Sequence, residues 1–246
     1  MRKILTAIIL LCIVAVSAQT TIIARQKQQT TAVKPKPKAK PTRVNPKPTS
    51  GYENGHKWVD LGLSVKWATC NVGATSPEGY GSYYAWGETS TKSSYTWSNL
   101  KYCLDNSGDK FSKYLGQSKY GTVDNKTTLD LSDDAAHVNW GGSWRMPTKA
   151  EQDELREKCT WTRTTMNGKN GYKVTSKLNG NSIFLPAAGC RYNSGLDNDG
   201  SNGSYWSSSL DPSYSDGAYC LSFDSGEVDW RSYRRRNGQS VRAVCQ

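Results

Sequence analysis

The chain has 246 residues, with 32 Lys and Arg against 21 Asp and Glu, 36% apolar residues, nine Trp and seven Cys. Ten of those bases and none of the acids lie in the first 50 residues, so the remainder holds 22 bases against 21 acids. The formal charge of +11 therefore belongs to the N-terminal segment, and the near-neutral body excludes the broad basic face that nucleic-acid binding requires. Arg2 and Lys3 precede an apolar run, "ILTAIILLCIVAV", and the small residues "VSA". This is the pattern of an export signal cleaved after Ala18. The run is shorter than the roughly 20 apolar residues of a membrane span, so no transmembrane span is expected after signal removal. Cys12 follows Leu11 inside that run and is not placed as a lipidation site. The expected location is outside the cytoplasm: secreted, cell surface or periplasmic. Residues 19–50, with "KPKPKAKPTRVNPKPTS", read as a basic, extended and disordered stalk, because Pro favours polyproline II and like charges repel. Contact with anionic envelope polymers is a partner this composition allows.

Residues 51–246 have the size of a single domain. "KWVDLGLSVKWAT" predicts two strands around Leu61-Gly62-Leu63, with Trp58 and Trp67 turned inward. "LSDDAAHVNW" predicts a short helix capped by Ser132, with Asp133 and Asp134 at its positive end. Thr148 and Glu151 form a capping box after Pro147 and start a helix running to about Lys158, with Leu155 and Cys159 inward and Glu154 paired to Lys158. "YKVTSKLNGNSIFLPA" is a hairpin turning at Asn179-Gly180. "AYCLSFDSGEVDWRSY" is another, turning at Asp224-Ser225-Gly226, and "QSVRAVCQ" makes a closing strand with Val241, Ala243 and Cys245 on one side. Trp206, Leu221 and Phe223 alternate as core residues. After removal of the signal six cysteines remain, at 70, 103, 159, 190, 220 and 245, and an even count in an exported chain points to disulfides of undetermined pairing. The fold class is α+β: a small twisted antiparallel sheet, two short helices and long loops.

"WVDLGLSVKWATCNVGA", "GGSWRMPTKAEQDEL", "NGNSIFLPAAG", "GSYWSSS" and "GQSVRAV" occur in this order across nearly all of residues 55–245. Together they resemble the Fibrobacter major paralogous domain family of exported bacterial proteins. The resemblance implies a C-type-lectin-like fold, related to formylglycine-generating enzymes and to the variable proteins of diversity-generating retroelements, with the two domain ends close together. It also implies that the Trp140, Trp144 and Pro147 corner seats a framework helix.

Catalysis finds little support in the residues. The only histidines are His56 and His137, and no HExxH, CxxC, His-x-His or GxSxG occurs, so no catalytic residue, metal ligand set or cofactor is expected. The enzyme relatives imply two closely spaced cysteines near the C-terminus, whereas Cys220 and Cys245 stand far apart. The sugar-binding calcium motifs of lectins are missing, and "LDNDGSNG" has Trp206 where a calcium loop needs an acid. What remains is a surface rich in Tyr, Asn, Asp, Ser and Arg, the composition of adaptable binding faces. The candidate ligand-binding residues are Tyr192, Asn193, Asp197, Asn198, Asn202, Asp211, Tyr214, Asp229, Trp230, Tyr233 and Arg235. The expected function is an exported, non-catalytic binding module for an extracellular carbohydrate or surface protein. The alternatives are a retroelement-diversified receptor on the same fold, whose adenine-rich codons would vary, and, less favoured, a formylglycine-generating-type enzyme.

Overall fold

Asn-Gly steps set two of the hairpins. Strands β1 (Ser50–Glu53) and β2 (His56–Val59) turn at Asn54-Gly55, with φ of 44° and 82°. Strands β4 (Cys159–Met166) and β5 (Lys169–Ser176) turn at Asn167-Gly168, with φ of 46° and 77°. Positive φ at both positions is what a two-residue type I′ turn demands. The computed structural model describes residues 49–246, which lie in one compact unit, Lys47–Gln246. The expected signal and all but the last two residues of the expected stalk lie outside the described residues. Strand β1 already begins at Ser50, one residue inside the expected stalk.

Strands β1 and β2 join β3 (Lys66–Ala68) and β12 (Val244–Cys245) in the order β1-β2-β3-β12, so the two ends of the described chain meet in one sheet. A second sheet, β4-β5-β6, is completed by β6 (Ser182–Pro186). The third has the order β11-β10-β9, from β9 (Gly203–Leu210), β10 (Gly217–Phe223) and β11 (Val228–Arg234). A short ribbon pairs β7 (Cys190–Tyr192) with β8 (Gly195–Asp197). Pairings within these sheets are antiparallel, and with two short α-helices among the described residues the class is α+β, as the sequence predicts. Strand β4 was not foreseen. Its exposed Thr and Arg positions lack the apolar alternation that marked its neighbours.

Helix α1 (Ala135–Trp140) is capped by Asp134 rather than by Ser132. Ser132 lies inside a 3-10 turn, whereas Asp134 has the extended backbone of a cap and its Oδ1 accepts from the N–H of Ala136 and His137. Its other oxygen accepts from the Met146 N–H at 2.8 Å, tying α1 to the following corner. There Trp144 is fully buried and its indole N–H donates to the Glu53 carbonyl, while Trp140 stacks on His56 at 3.9 Å. Arg145 grips Glu151 with two hydrogen bonds of 2.8 and 2.6 Å. Glu151 also closes the capping box that starts α2 (Lys149–Lys158). The corner is thus a fastening between the first hairpin and α2. Thr148→Ala should destabilise the fold by about 1 kcal/mol, read as a lower urea midpoint with an unchanged slope.

The C-terminal segment departs from a simple closing strand. Val241, Ala243 and Cys245 are buried as predicted, but Arg235, Arg236, Gln239, Ser240 and Arg242 are buried too. Only Val244–Cys245 is regular strand, because the segment bonds in turn to Trp86, Tyr84, Arg191, Ser204, Val72, Ala68 and Arg145. A backbone that satisfies its donors and acceptors against five different segments cannot stay in one ladder. The six cysteines are free, so the expected disulfides are not formed here. Cys159, Cys220 and Cys245 instead serve as small core residues, and burial raises the pKa of all three.

Candidate ligand-binding face

On β10 and β11 alternate side chains share one face of the sheet. Register pairs Tyr219 with Ser232 and Leu221 with Trp230, so Tyr219, Trp230, Ser232 and Arg234 lie on the same side. Leu221 and Phe223 fill the buried end of that face. Tyr219 and Trp230 meet edge to face, with centroids 5.4 Å apart. The N-terminal turn of α2 comes over this pair: the Lys149 ammonium sits 4.6 Å from the Trp230 ring and 5.5 Å from that of Tyr219. Lys149 is itself held by Asp153 at 2.6 Å. At the edge, Arg156 reaches Asp229 at 3.4 Å. Trp230 remains 41% exposed despite these supports.

Asp211 and Tyr214 border the same pair. The Tyr214 N–H donates to the Asp211 carbonyl, and a Cβ on Gly217 would strike both Ser232 Oγ and Tyr214 Cβ, which places Tyr214 beside β11. Tyr219 has a raised phenol pKa, through burial first and then the nearby Asp211 carboxylate. Three of the predicted residues (Asp211, Tyr214 and Trp230) therefore gather on one patch, with Asp229 at its edge, on the other side of β11 and held by Arg156. Asp211 is only 3% exposed, with its carboxylate bonded to the Ser213 N–H, so it borders the patch rather than presenting a free acid. Sequence reading missed Tyr219 and Lys149. The first could have been found from its period-two spacing with Leu221 and Phe223; the second is brought over only by α2 packing on the sheet.

The other predicted residues lie elsewhere. Tyr192 is 43% exposed at the end of β7, and Asn193 follows it in a left-handed turn with φ of 51°. Asp197 ends β8 opposite Cys190, and Asn198 and Asn202 belong to the turn between β8 and β9. There Asn198 has φ of 59°, and its carbonyl accepts from the N–H groups of Ser201 and Asn202, so these residues serve the turn. Tyr233 points to the opposite side of β11 and packs against the core. Arg235 corrects the sequence reading. It is 2% exposed, donates to the carbonyls of Lys113 and Tyr114, and lies 4.4 Å from the Phe111 ring and 5.3 Å from that of Trp86. Burial drives its pKa down to about 10. Arg235 is a framework residue because the segment after β11 turns inward.

A cleft of about 550 Å³ opens at the other end of the described chain, lined by Tyr52, His56, Lys57, Thr69, Cys70 and Trp140. His56 there has a lowered pKa through partial burial. Among the described residues no group of three or more His, Cys, Asp or Glu could hold a metal ion, and no helix is long and apolar enough to cross a membrane.

A family model described as a domain of unknown function (DUF8237) matches residues 156–244, which hold β4 to β11 and most of this patch. No curated protein matches the chain, and no solved structure does.

Proposed function

We propose that the chain is an exported, non-catalytic binding module on a C-type-lectin-like fold, whose Trp230–Tyr219 patch takes a carbohydrate on a cell surface or surface protein. The observation that carries this reading is an exposed indole braced edge-on by Tyr219 and from above by Lys149. A rigid aromatic platform ringed by charged and hydroxyl groups offers apolar contact to the faces of a sugar and hydrogen bonds to its rim. The convergence of the two ends of the described residues in one sheet supports the lectin-like fold, and the charge division supports display on a basic N-terminal stalk. A retroelement-diversified receptor fits less well, since Arg235, Asn237, Ser240 and Arg242, whose codon types would vary, are all buried.

The test is a glycan array with the chain from residue 19 onward and its Trp230→Ala variant. Trp230→Ala is expected to weaken the best glycan by thirtyfold or so, the size of a binding hot spot of about 2 kcal/mol. Thermal stability should fall by only about 1–2 kcal/mol, the size of the lost edge-to-face and cation–π contacts, so the variant stays folded. Equal glycan binding by the two proteins would remove the patch from the site.

A further inference from the structure

Arg236 follows the framework residue Arg235, yet its surroundings differ in kind. Its guanidinium is sandwiched between aromatic rings, 4.5 Å from the Tyr192 centroid and 5.2 Å from that of Trp97. Its single hydrogen bond runs from Nη2 to the Tyr192 hydroxyl at 3.0 Å, and its Nε is buried without an acceptor. Arg235 gives its charge to two carbonyl oxygens, whereas Arg236, 6% exposed, has only a phenolic oxygen. Two further arginines lie close by. Arg191 adjoins Tyr192 on β7 and lies over the Tyr83 ring at 5.3 Å, beside a shallow groove shared with Ser82, Lys92, Ser93 and Tyr95. Arg234 ends the exposed row of β11. Among the described residues the only ion pair made by any of these three arginines is from Arg234 to Asp216, at 3.7 Å.

A buried guanidinium without a counter-ion is costly and favours any anion that reaches it. Tyr192 registers the resulting field. Its phenol has a lowered pKa, mainly through the Arg236 hydrogen bond and then through the charges of Arg236 and Arg234. Close packing keeps this arrangement fixed: a Cβ on Gly238 would lie 2.5 Å from the Tyr95 ring, so that ring and the segment after Arg236 seat directly on each other.

We propose that Arg236 and Arg234 beside Tyr192, with Arg191 on the groove side of β7, form a subsite for the carboxylate or sulfate group of an acidic sugar. The guanidiniums supply charge-assisted donors matched to a planar carboxylate or a sulfate. Tyr192 keeps one face on Arg236 and is 43% exposed, leaving ring surface against which the sugar bearing the anion can lie. A flat ring beside a guanidinium suits a rigid sugar acid better than the mobile side chain of an acidic peptide. Arg234 ends the same β11 row as Trp230, but Arg236 and Tyr192 lie off that row, so loss of the Trp230 ring leaves the Arg236 guanidinium in place.

The test uses the chain from residue 19 onward, stalk included, against four probes: a galacturonate tetrasaccharide, a sulfated galactose tetrasaccharide, the neutral galactose tetrasaccharide and a tetraglutamate peptide. Titration calorimetry should show binding of one or both acidic sugars, and which one separates a carboxylate from a sulfate ligand. The neutral sugar and the peptide should bind at least about tenfold more weakly. The double variant Arg191→Gln/Arg234→Gln should lose about tenfold or more for the acidic sugar while its thermal transition stays in place, and Trp230→Ala should keep the preference for acidic over neutral sugar. The proposal is overturned if no acidic sugar binds or if the neutral sugar binds equally. It is also overturned if tetraglutamate binds as tightly, or if the double variant matches the parent, which would assign the attraction to the basic stalk.

Discussion

Asp133→Asn is expected to lower folding stability by on the order of 3 kcal/mol at neutral pH. The Asp133 carboxylate is almost wholly buried and accepts from Lys101 at 2.7 Å, Lys113 at 2.5 Å, Tyr102 at 2.7 Å and Tyr114 at 2.5 Å. Lys101 is half exposed and can return to water, so its share is small. The larger loss comes from Lys113 and from Tyr114, whose ring is fully buried against Trp86 and Tyr102. Burial by itself would raise the Asp133 pKa, but the four donors overcome it and hold the carboxyl well below the ordinary range. The sign follows: a depressed folded-state pKa gives stability that is fully present above the unfolded value of about 3.9 and is lost as pH falls below it. Urea unfolding of parent and variant should therefore differ most at pH 7 and converge below about pH 4. A gap independent of pH would show that the ionised carboxylate is not the source.

Trp206→Ala should be comparably severe, at about 3–5 kcal/mol, a large share of the 5–15 kcal/mol typical of folded domains. Trp206 is fully buried in the cluster that contains Trp86, Trp140 and Trp144, and its indole N–H donates to the Tyr84 carbonyl at 2.8 Å. That carbonyl keeps a second donor, the Gln239 N–H, so the dominant loss is the cavity rather than an unpaired oxygen. Trp206→Phe keeps most of the volume and should cost roughly half as much. Equilibrium denaturation would check the ordering; near-equal losses for the two variants would place the weight on the hydrogen bond instead.

The candidate ligand-binding residues divide by how local their signals are. Trp230 and Tyr214 could be picked out from composition because their exposure follows from short strands and turns. Arg235 was misassigned because "RSYRRR" looks like a solvated edge, and nothing local marks where the chain leaves β11 and dives beneath Phe111 and Trp86. Tyr233 was misread by one step of the strand period, which is enough to carry a side chain to the opposite face. Lys149 came from a helix some 80 positions away, and no spacing rule links it to Trp230.

The sequence by itself determined the α+β class, the start of α2, the hairpins at Asn179-Gly180 and Asp224–Gly226, and the core positions of Trp67, Trp206, Leu221 and Phe223. These rest on local physics: left-handed turn residues, reciprocal capping and period-two burial act within a few residues. Tertiary structure alone decided that Asp134 rather than Ser132 caps α1 and that the C-terminal segment threads the centre. It also decided that Arg236 is caged by Tyr192 and Trp97, and that Lys149 covers Trp230. Each of these depends on which distant backbone group or ring becomes the neighbour, and that is fixed only when the sheets and helices pack together.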